Sequence, residues 1–387
     1  MKVKIFTSVL AGCLFLTGCS NIKNIQDLTY IVAIGMDYDQ ETKQYTAYIQ
    51  GLNFANVAKQ EGGRPAEAIP IFIASATGET LNLAVSKLYS KSEPPLFFGH
   101  VITLVLSKSI VTHRFNDVIK EVGRNRSLRT TLRVLTTDEN IEEVFNIKGL
   151  FNYPAVYTVI FKRSDSELFQ DELKPINLMN FLREYNEPMG TAKLPTVKID
   201  TDTWQADKNY PVLYFDGFAI FQHQKYKKSF SFKDSLYINW LSGKNVSLIQ
   251  KVDDEGELAA VVKFAAPKMK IKYADGTDTP KVTIELSVRA DLLEKLKDLP
   301  LERLTKLIEE DIKTKMKAIY ATGIENKADV LNAGKRWFRE HPQKYQELVT
   351  HSDFYLDESS LKDVKVNVQI FHFNSYKYSP DNSGTYK

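Results

Sequence analysis

Among the side chains able to do chemistry, Cys19 is the one whose neighbours give it a task. A thiolate is a strong nucleophile, and Leu16-Thr17-Gly18 sets small residues in front of it, where a peptidase could cut. The other candidates are scattered. Histidines at 100, 113, 223, 341, 351 and 372 show no i, i+4 pair of the kind a helical zinc site uses, so each reads as a surface or core residue. Asp37 and Asp39 would make a carboxylate pair for acid–base work, but Asp in a turn between strands normally bonds its own backbone, and that is the preferred reading. Asp253-Asp254-Glu255-Gly256 looks like a calcium loop only superficially: alternating oxygen ligands and a distal Glu are missing, so it reads as a solvated turn. Trp240 and Trp337 sit on apolar helical faces, where packing is commoner than ligand stacking. The basic run Lys225-Tyr226-Lys227-Lys228 reads as a solvated hairpin before a lipid-headgroup contact. The sequence contains no G-x-S-x-G elbow, Walker loop or G-x-G-x-x-G turn. The expectation is a protein that is not an enzyme, with no catalytic residue, no metal and no cofactor.

Cys19 gains its meaning from what precedes it. Lys2 and Lys4 form a charged n-region, and Ile5 to Leu16 form an uncharged apolar run. That run falls short of the roughly 18 residues a membrane-spanning helix needs and suits the h-region of a secretory leader. With Leu16-Thr17-Gly18-Cys19 behind it, the segment resembles a bacterial lipobox. The pattern implies S-diacylglycerol on Cys19, removal of residues 1–18, and N-acylation of the new terminus as a further possibility. Two acyl chains make a stable anchor where one is marginal. No later apolar run reaches spanning length, so the expected location is the outer face of the cytoplasmic membrane. Cys13 leaves with the leader, and the folded body then has no thiol for a disulfide, a metal or catalysis. Of 51 basic and 48 acidic side chains, Lys2 and Lys4 are also lost, and a balance so close to neutral gives no footprint for nucleic acid.

The elements follow from periodicity. Leu28 to Gly35 and Gln44 to Leu52 read as a hairpin about a polar turn. Ile69 to Ala76 reads as a buried strand, Glu79 to Lys91 as a helix, Val101 to Leu106 as a strand, and Phe115 to Val122 as a second helix. Leu132 to Leu135 is a further strand, after which Asp138 is placed to cap a short helix through Phe145. Phe181, Leu182 and Tyr185 mark a helix ending before Pro188. The Asp-, Thr- and Asn-rich stretch Asp200 to Pro211 is the best domain boundary. Beyond it, Val212 to Phe221, Leu258 to Phe264 and Val282 to Val288 read as strands, and Leu236, Trp240 and Leu241 put one face of a short helix on the core. Leu301, Leu304, Ile308, Ile312 and Ile319 stripe the longest helix, with Gly323 as its C′ residue. Pro342 suits the first turn of another helix, and Val364, Val366, Val368 and Ile370 alternate as a strand with one buried face. The fold class is α+β, or mixed α/β, in several small domains, each a mixed sheet with packed helices. The limits are 1–18 leader, 19–27 lipidated tether, 28–135 N-terminal domain, 136–205 middle domain, 206–378 C-terminal domain and 379–387 flexible tail.

In order along the chain stand the lipobox Cys19 with Leu28-Thr29-Tyr30-Ile31-Val32-Ala33-Ile34-Gly35-Met36-Asp37, then Gly78-Glu79-Thr80, Phe98-Gly99-His100 and Arg124-Asn125-Arg126-Ser127-Leu128-Arg129. Phe215-Asp216-Gly217-Phe218-Ala219-Ile220-Phe221, Trp240-Leu241-Ser242-Gly243-Lys244, Ala328-Asp329-Val330-Leu331 and Trp337-Phe338 continue the series. The series resembles the GerC-type spore germination lipoproteins, the C subunits of nutrient germinant receptors. Ser20-Asn21-Ile22-Lys23 departs from the Trp-Asp and basic pair that many members carry after the lipidated Cys. The resemblance implies three small α/β domains without enzymatic activity. It implies assembly with two integral membrane subunits, of A and B type, on the outer face of the spore inner membrane, in the service of germinant-triggered germination. Two other readings stay open. A solute-binding lipoprotein handing a small molecule to a membrane transporter would need a cleft between two lobes. A wall-modifying hydrolase would need a catalytic constellation.

Overall fold

The strand β1 (Thr29–Asp39) is buried along nearly its whole length, and it sits inside a sheet covered on both faces. The computed structural model describes residues 28–52, 70–162, 173, 175–242, 246–274, 276–277, 279–350 and 354–373. The leader, Cys19, the tether and residues 379–387 therefore lie outside the described residues. β1 turns into β2 (Gln44–Leu52) through Asp39, whose carboxylate accepts the Glu41 and Thr42 amides at 2.8 and 3.3 Å. β3 (Phe72–Gly78) adds to β2. It was expected to be buried, but it is an edge strand, with Phe72 58% exposed, because it has β2 on one side only. Helix α1 (Leu81–Ser90) is capped by the Thr80 hydroxyl. β4 (Leu96–Phe97) and β5 (Thr103–Ser107) run parallel to β1. A short π-helical turn then leads into α2 (Phe115–Arg124). β6 (Arg133–Thr137) continues the parallel set, and α3 (Ile141–Asn146) follows. Asn140, not Asp138, caps α3, accepting the Glu142 amide at 2.8 Å.

After β7 (Ile176–Asn177) and α4 (Leu178–Asn186), β8 (Thr191–Asp200) pairs with β9 (Val212–Gln222), and β9 with β10 (Lys225–Phe230). The strand order is β10-β9-β8-β6-β5-β1-β2-β3, with β4 and β7 attached beside it as the ninth and tenth strands. The stretch Asp200 to Pro211 is thus a hairpin loop, held at its base by Asp200 accepting the Asp202 amide at 3.0 Å. The sheet runs unbroken across the expected limits at 135 and 205. Strand residues alternate between its faces: Leu104 and Leu106 meet α2 and α4, whereas Val105 and Leu135 join a core shared with the second sheet.

That second sheet is built from β11 (Leu248–Asp254), β12 (Glu257–Phe264), β13 (Lys268–Tyr273), β14 (Val282–Lys295) and β15 (Leu361–Phe373). β14 takes β12 and then β13 along one edge and β15, in parallel, along the other. Between the sheets lies α5 (Phe232–Ser242), buried from Ser235 to Leu241 on all sides rather than on one face. Helix α6 (Leu301–Glu325) packs Leu304, Ile308, Ile312, Met316 and Ile319 inward, while Leu301, in its first turn, is 44% exposed. Gly323 is not a C′ residue but part of the last turn. A Cβ there would lie 2.6 Å from the Ala328 carbonyl, so the chain can fold back only over glycine. α7 (Ala333–Glu340) and α8 (Pro342–Val349), which Pro342 begins, complete the described helices.

Candidate functional site

Of the residues singled out for chemistry, the described ones are not brought together; Cys19 and His351 lie outside the described residues. His100 packs its ring against Tyr30 and Phe97, His113 is exposed on the π-helical turn, His223 occupies the β9–β10 turn, and His341 lies against Trp337. Among the described residues no group of His, Cys, Asp and Glu could hold a metal ion. Asp37 and Asp39 spend their carboxylates on backbone amides, and those donors hold the Asp39 pKa below its ordinary value. The turn at 253–256 is more than solvated. Asp254 is buried, and Arg303 of α6 pairs with it at 3.0 Å, tying the hairpin to the helix. Trp240 donates its indole N–H to the Ala265 carbonyl at 2.9 Å between Tyr237 and Phe264, and Trp337 packs with Met189, Tyr355 and Leu356. Both are core residues.

What the fold does assemble is a polar joint between the two sheets, centred on Asp329. Its carboxylate accepts the Ala333 amide at 2.8 Å and the Lys335 amide at 3.0 Å. It thereby caps α7, whose own preceding residue, Asn332, is left-handed and offers no side-chain cap. The Asp329 backbone reaches into the other sheet. Its amide donates to Gln222 Oε1 at 3.1 Å, and its carbonyl accepts from Thr191 Oγ1 at 2.9 Å, the same hydroxyl lying 2.7 Å from Gln222 Oε1. Tyr273 and Tyr355 donate to the Ala333 and Gly334 carbonyls at 2.7 and 2.8 Å, fixing the start of the helix. On the far side Lys335 pairs with Glu184, and Arg339 pairs with Glu187 at 2.9 Å, joining α7 to the end of α4.

Burial sets the electrostatics here. It pushes Asp329 up to about 6, against the backbone donors and the charge of Lys193. The half-buried Lys193 is pushed down to about 8 by the same desolvation, against the attraction of Glu184 and Asp329. The arrangement ties the two sheets together through buried hydrogen bonds and ion pairs. Its chemistry is to lock two sheets at one angle. Asp329 lies in one of the motifs noted above, yet its role was hidden, since its partners Thr191 and Gln222 are 138 and 107 residues away.

Comparison with known proteins agrees with this architecture. Residues 21–199 match the family model described as "Spore germination protein N-terminal domain". Residues 216–374 match "Spore germination B3/ GerAC like, C-terminal". The chain is similar to "Spore germination protein KC" of Bacillus subtilis (strain 168), at 23% identity over 397 residues, covering 94% of this chain and 93% of that protein. It is also similar to "Spore germination protein A3" of the same organism, at 21% identity over 280 residues, covering 71% and 70%. The crystal structure of the GerBC protein superposes with a TM-score of 0.52 at 16% identity, over 88% of this chain and 97% of that one, a likeness of fold. Two mixed sheets with packed helices, joined as described, are this fold, and the chain belongs to the GerAC-type family of spore germination receptor C subunits.

Proposed function

We propose that this chain is a non-enzymatic, lipid-anchored subunit of a nutrient germinant receptor, needed for assembly of the receptor and for germination triggered by its nutrient. The observation that carries the reading is the extent of the family match, which starts at residue 21, just after Cys19, and runs with one gap to residue 374. Residues 1–18 act as the leader and 19–27 as a tether. S-diacylglycerol on Cys19 holds the body on the outer face of the spore inner membrane, where two integral membrane subunits bind it. Among the described residues no helix is long and apolar enough to cross a membrane, which supports lipid as the attachment. The competing solute-binding reading needs a cleft between lobes, and the space between the sheets is filled by α5 and Trp240.

The test has two arms. Cys19→Ala should move the protein from the membrane to the soluble fraction in a strain lacking the partner subunits, and retention at the wild-type level would refute the anchor. Affinity capture of the wild-type protein from detergent-solubilised spore membranes should recover two multispanning proteins. Capture of neither would refute the assembly role.

A further inference from the structure

The arginine-rich segment 124–129 takes no part in the joint at Asp329, and the register of the first sheet shows where it lies. β1, β4, β5 and β6 run parallel. β2 ends at Leu52 opposite Tyr30, and β3 begins at Phe72 opposite Gly51, so both meet the amino end of β1. α1 carries the chain from the end of β3 back to the start of β4, and α2 carries it from the end of β5 back to the start of β6. One end of the sheet therefore collects Leu28, Phe72, the last turn of α1, Phe97, Ile102 and the turn 124–131. β8 is parallel to β6 and finishes at Asp200, which puts the hairpin loop with Trp204 at the opposite end.

The first of these ends is apolar and basic at once. Tyr89, Phe97 and Ile102 are exposed there with Phe72, and so is Met179, whose amide donates to the Thr130 carbonyl at 2.9 Å. Phe97 is held edge-on against Tyr30, with ring centroids 5.6 Å apart. Asn125 shapes the arginine turn: its side chain accepts the Ser127 amide at 2.9 Å and its carbonyl accepts the Leu128 amide at 3.2 Å. Leu128 then packs against the core while Arg126 and Arg129 stay exposed. Lys91 and Arg124 are exposed at the same end. Facing these four cations are Glu93 and Glu121, and Glu121 is taken up by Arg124 at 2.7 Å. Large apolar side chains among uncompensated cations suit the surface of a bilayer, where the rings enter the headgroup layer and the cations meet anionic lipid.

We propose that this end of the ten-stranded sheet lies on the membrane, with Phe97 and Ile102 in the headgroup layer and Arg126 and Arg129 on anionic headgroups, while the Trp204 hairpin points away. The orientation rests on the anchor at Cys19. Residues 19–27 span at most about 30 Å even when fully extended, and they join the fold at Leu28, on this end. The face thus supplies a second attachment beside the lipid, which fixes how the body stands on the bilayer.

The experiment uses the mature chain, residues 19–387, which keeps every strand of both sheets. Cys19 is coupled to a maleimide lipid in phosphatidylcholine vesicles with or without phosphatidylglycerol, so attachment does not depend on acylation in the cell, and Cys19→Ala in cells tests the anchor separately. On anionic vesicles Phe97→Trp should add emission that brominated lipid quenches, whereas the native Trp204, Trp240 and Trp337 should stay unquenched. Ile102→Trp gives the same reading should Phe97→Trp fail to fold. Amide exchange over residues 124–132 should be slower by about tenfold or more on anionic than on neutral vesicles, and Arg126→Gln with Arg129→Gln should erase that difference. Quenching of Trp204 in the wild-type protein, no quenching in either folded tryptophan variant, or equal exchange on the two kinds of vesicle would each overturn the proposal. So would shielding of residues 124–132 in the solubilised receptor without any quenching on vesicles, which would give this face to the integral subunits.

Discussion

Replacing Asp329 with Asn tests whether the joint holds a carboxylate against the cost of burial. The ordinary value for the group is 3.8, and in the folded protein it stands at about 6. Between those values the unfolded chain has released its proton while the folded chain still holds it. Stability from this group is therefore complete below 3.8 and is lost as pH rises through 6. Two pH units at about 1.4 kcal/mol each make roughly 3 kcal/mol. The Asn side chain does not titrate. Its amide oxygen keeps the Ala333 contact, while its NH2 group opposes the Lys335 amide, an offset that does not vary with pH. The unfolding free energy of wild type minus variant should thus fall by roughly 3 kcal/mol from about pH 4 to about pH 6.5 and then level off. Urea unfolding followed by tryptophan fluorescence suits the measurement, because Trp337 lies on α7 itself. A difference that is flat across this window would refute the argument. One that rises with pH would show that the backbone amides stabilise the carboxylate by more than burial disfavours it.

Trp240→Ala should destabilise the protein by about 3–5 kcal/mol and lower its abundance in spores, since a fully buried ring and the bond to Ala265 are both lost; immunoblotting and thermal unfolding would check this. Tyr210→Phe removes a hydroxyl that donates to the Gly149 carbonyl at 2.8 Å and accepts the Asn152 amide at 3.1 Å. Hydrogen exchange at Asn152 should quicken while the core strands stay unchanged, and equal protection in both proteins would refute the tie. His100→Ala, His113→Ala, His223→Ala and His341→Ala should each leave nutrient-triggered germination near wild type where the protein accumulates normally. One variant present at the normal level yet inert to nutrient would instead reveal a ligand or catalytic site.

The elements that were legible in the sequence carry one simple period or a plain turn. β15 alternates Val364, Val366, Val368 and Ile370 with polar residues, and α6 stripes its apolar residues every three or four positions. β8 was missed because Pro195, which cannot donate to a ladder, interrupts its pattern. β13 was missed because its outward positions, Lys268, Lys270 and Lys272, make a strand resemble a charged loop. The full burial of α5 left no polar face to give it a period, so only part of it registered as core. The joint at Asp329 was marked in the sequence by its motif alone, since its ties to Thr191 and Gln222 join residues far apart in the chain and only the closed sheets reveal them.

The place of β15 has a consequence for how the molecule is made. The ten-stranded sheet has all its strands once residue 230 is available, and most of its ladders join segments near one another in the chain. β14 is different, because one of its edges waits for β15, which ends at Phe373. A chain delivered from its amino end would hold a finished first half while that edge still exposes unpaired amides and carbonyls, a template for pairing with another molecule. A product cut short before Leu361 would keep the edge open permanently and should be cleared by proteolysis or aggregate. β15 thus acts as a seal, closing the second half only when the chain has been delivered as far as Phe373.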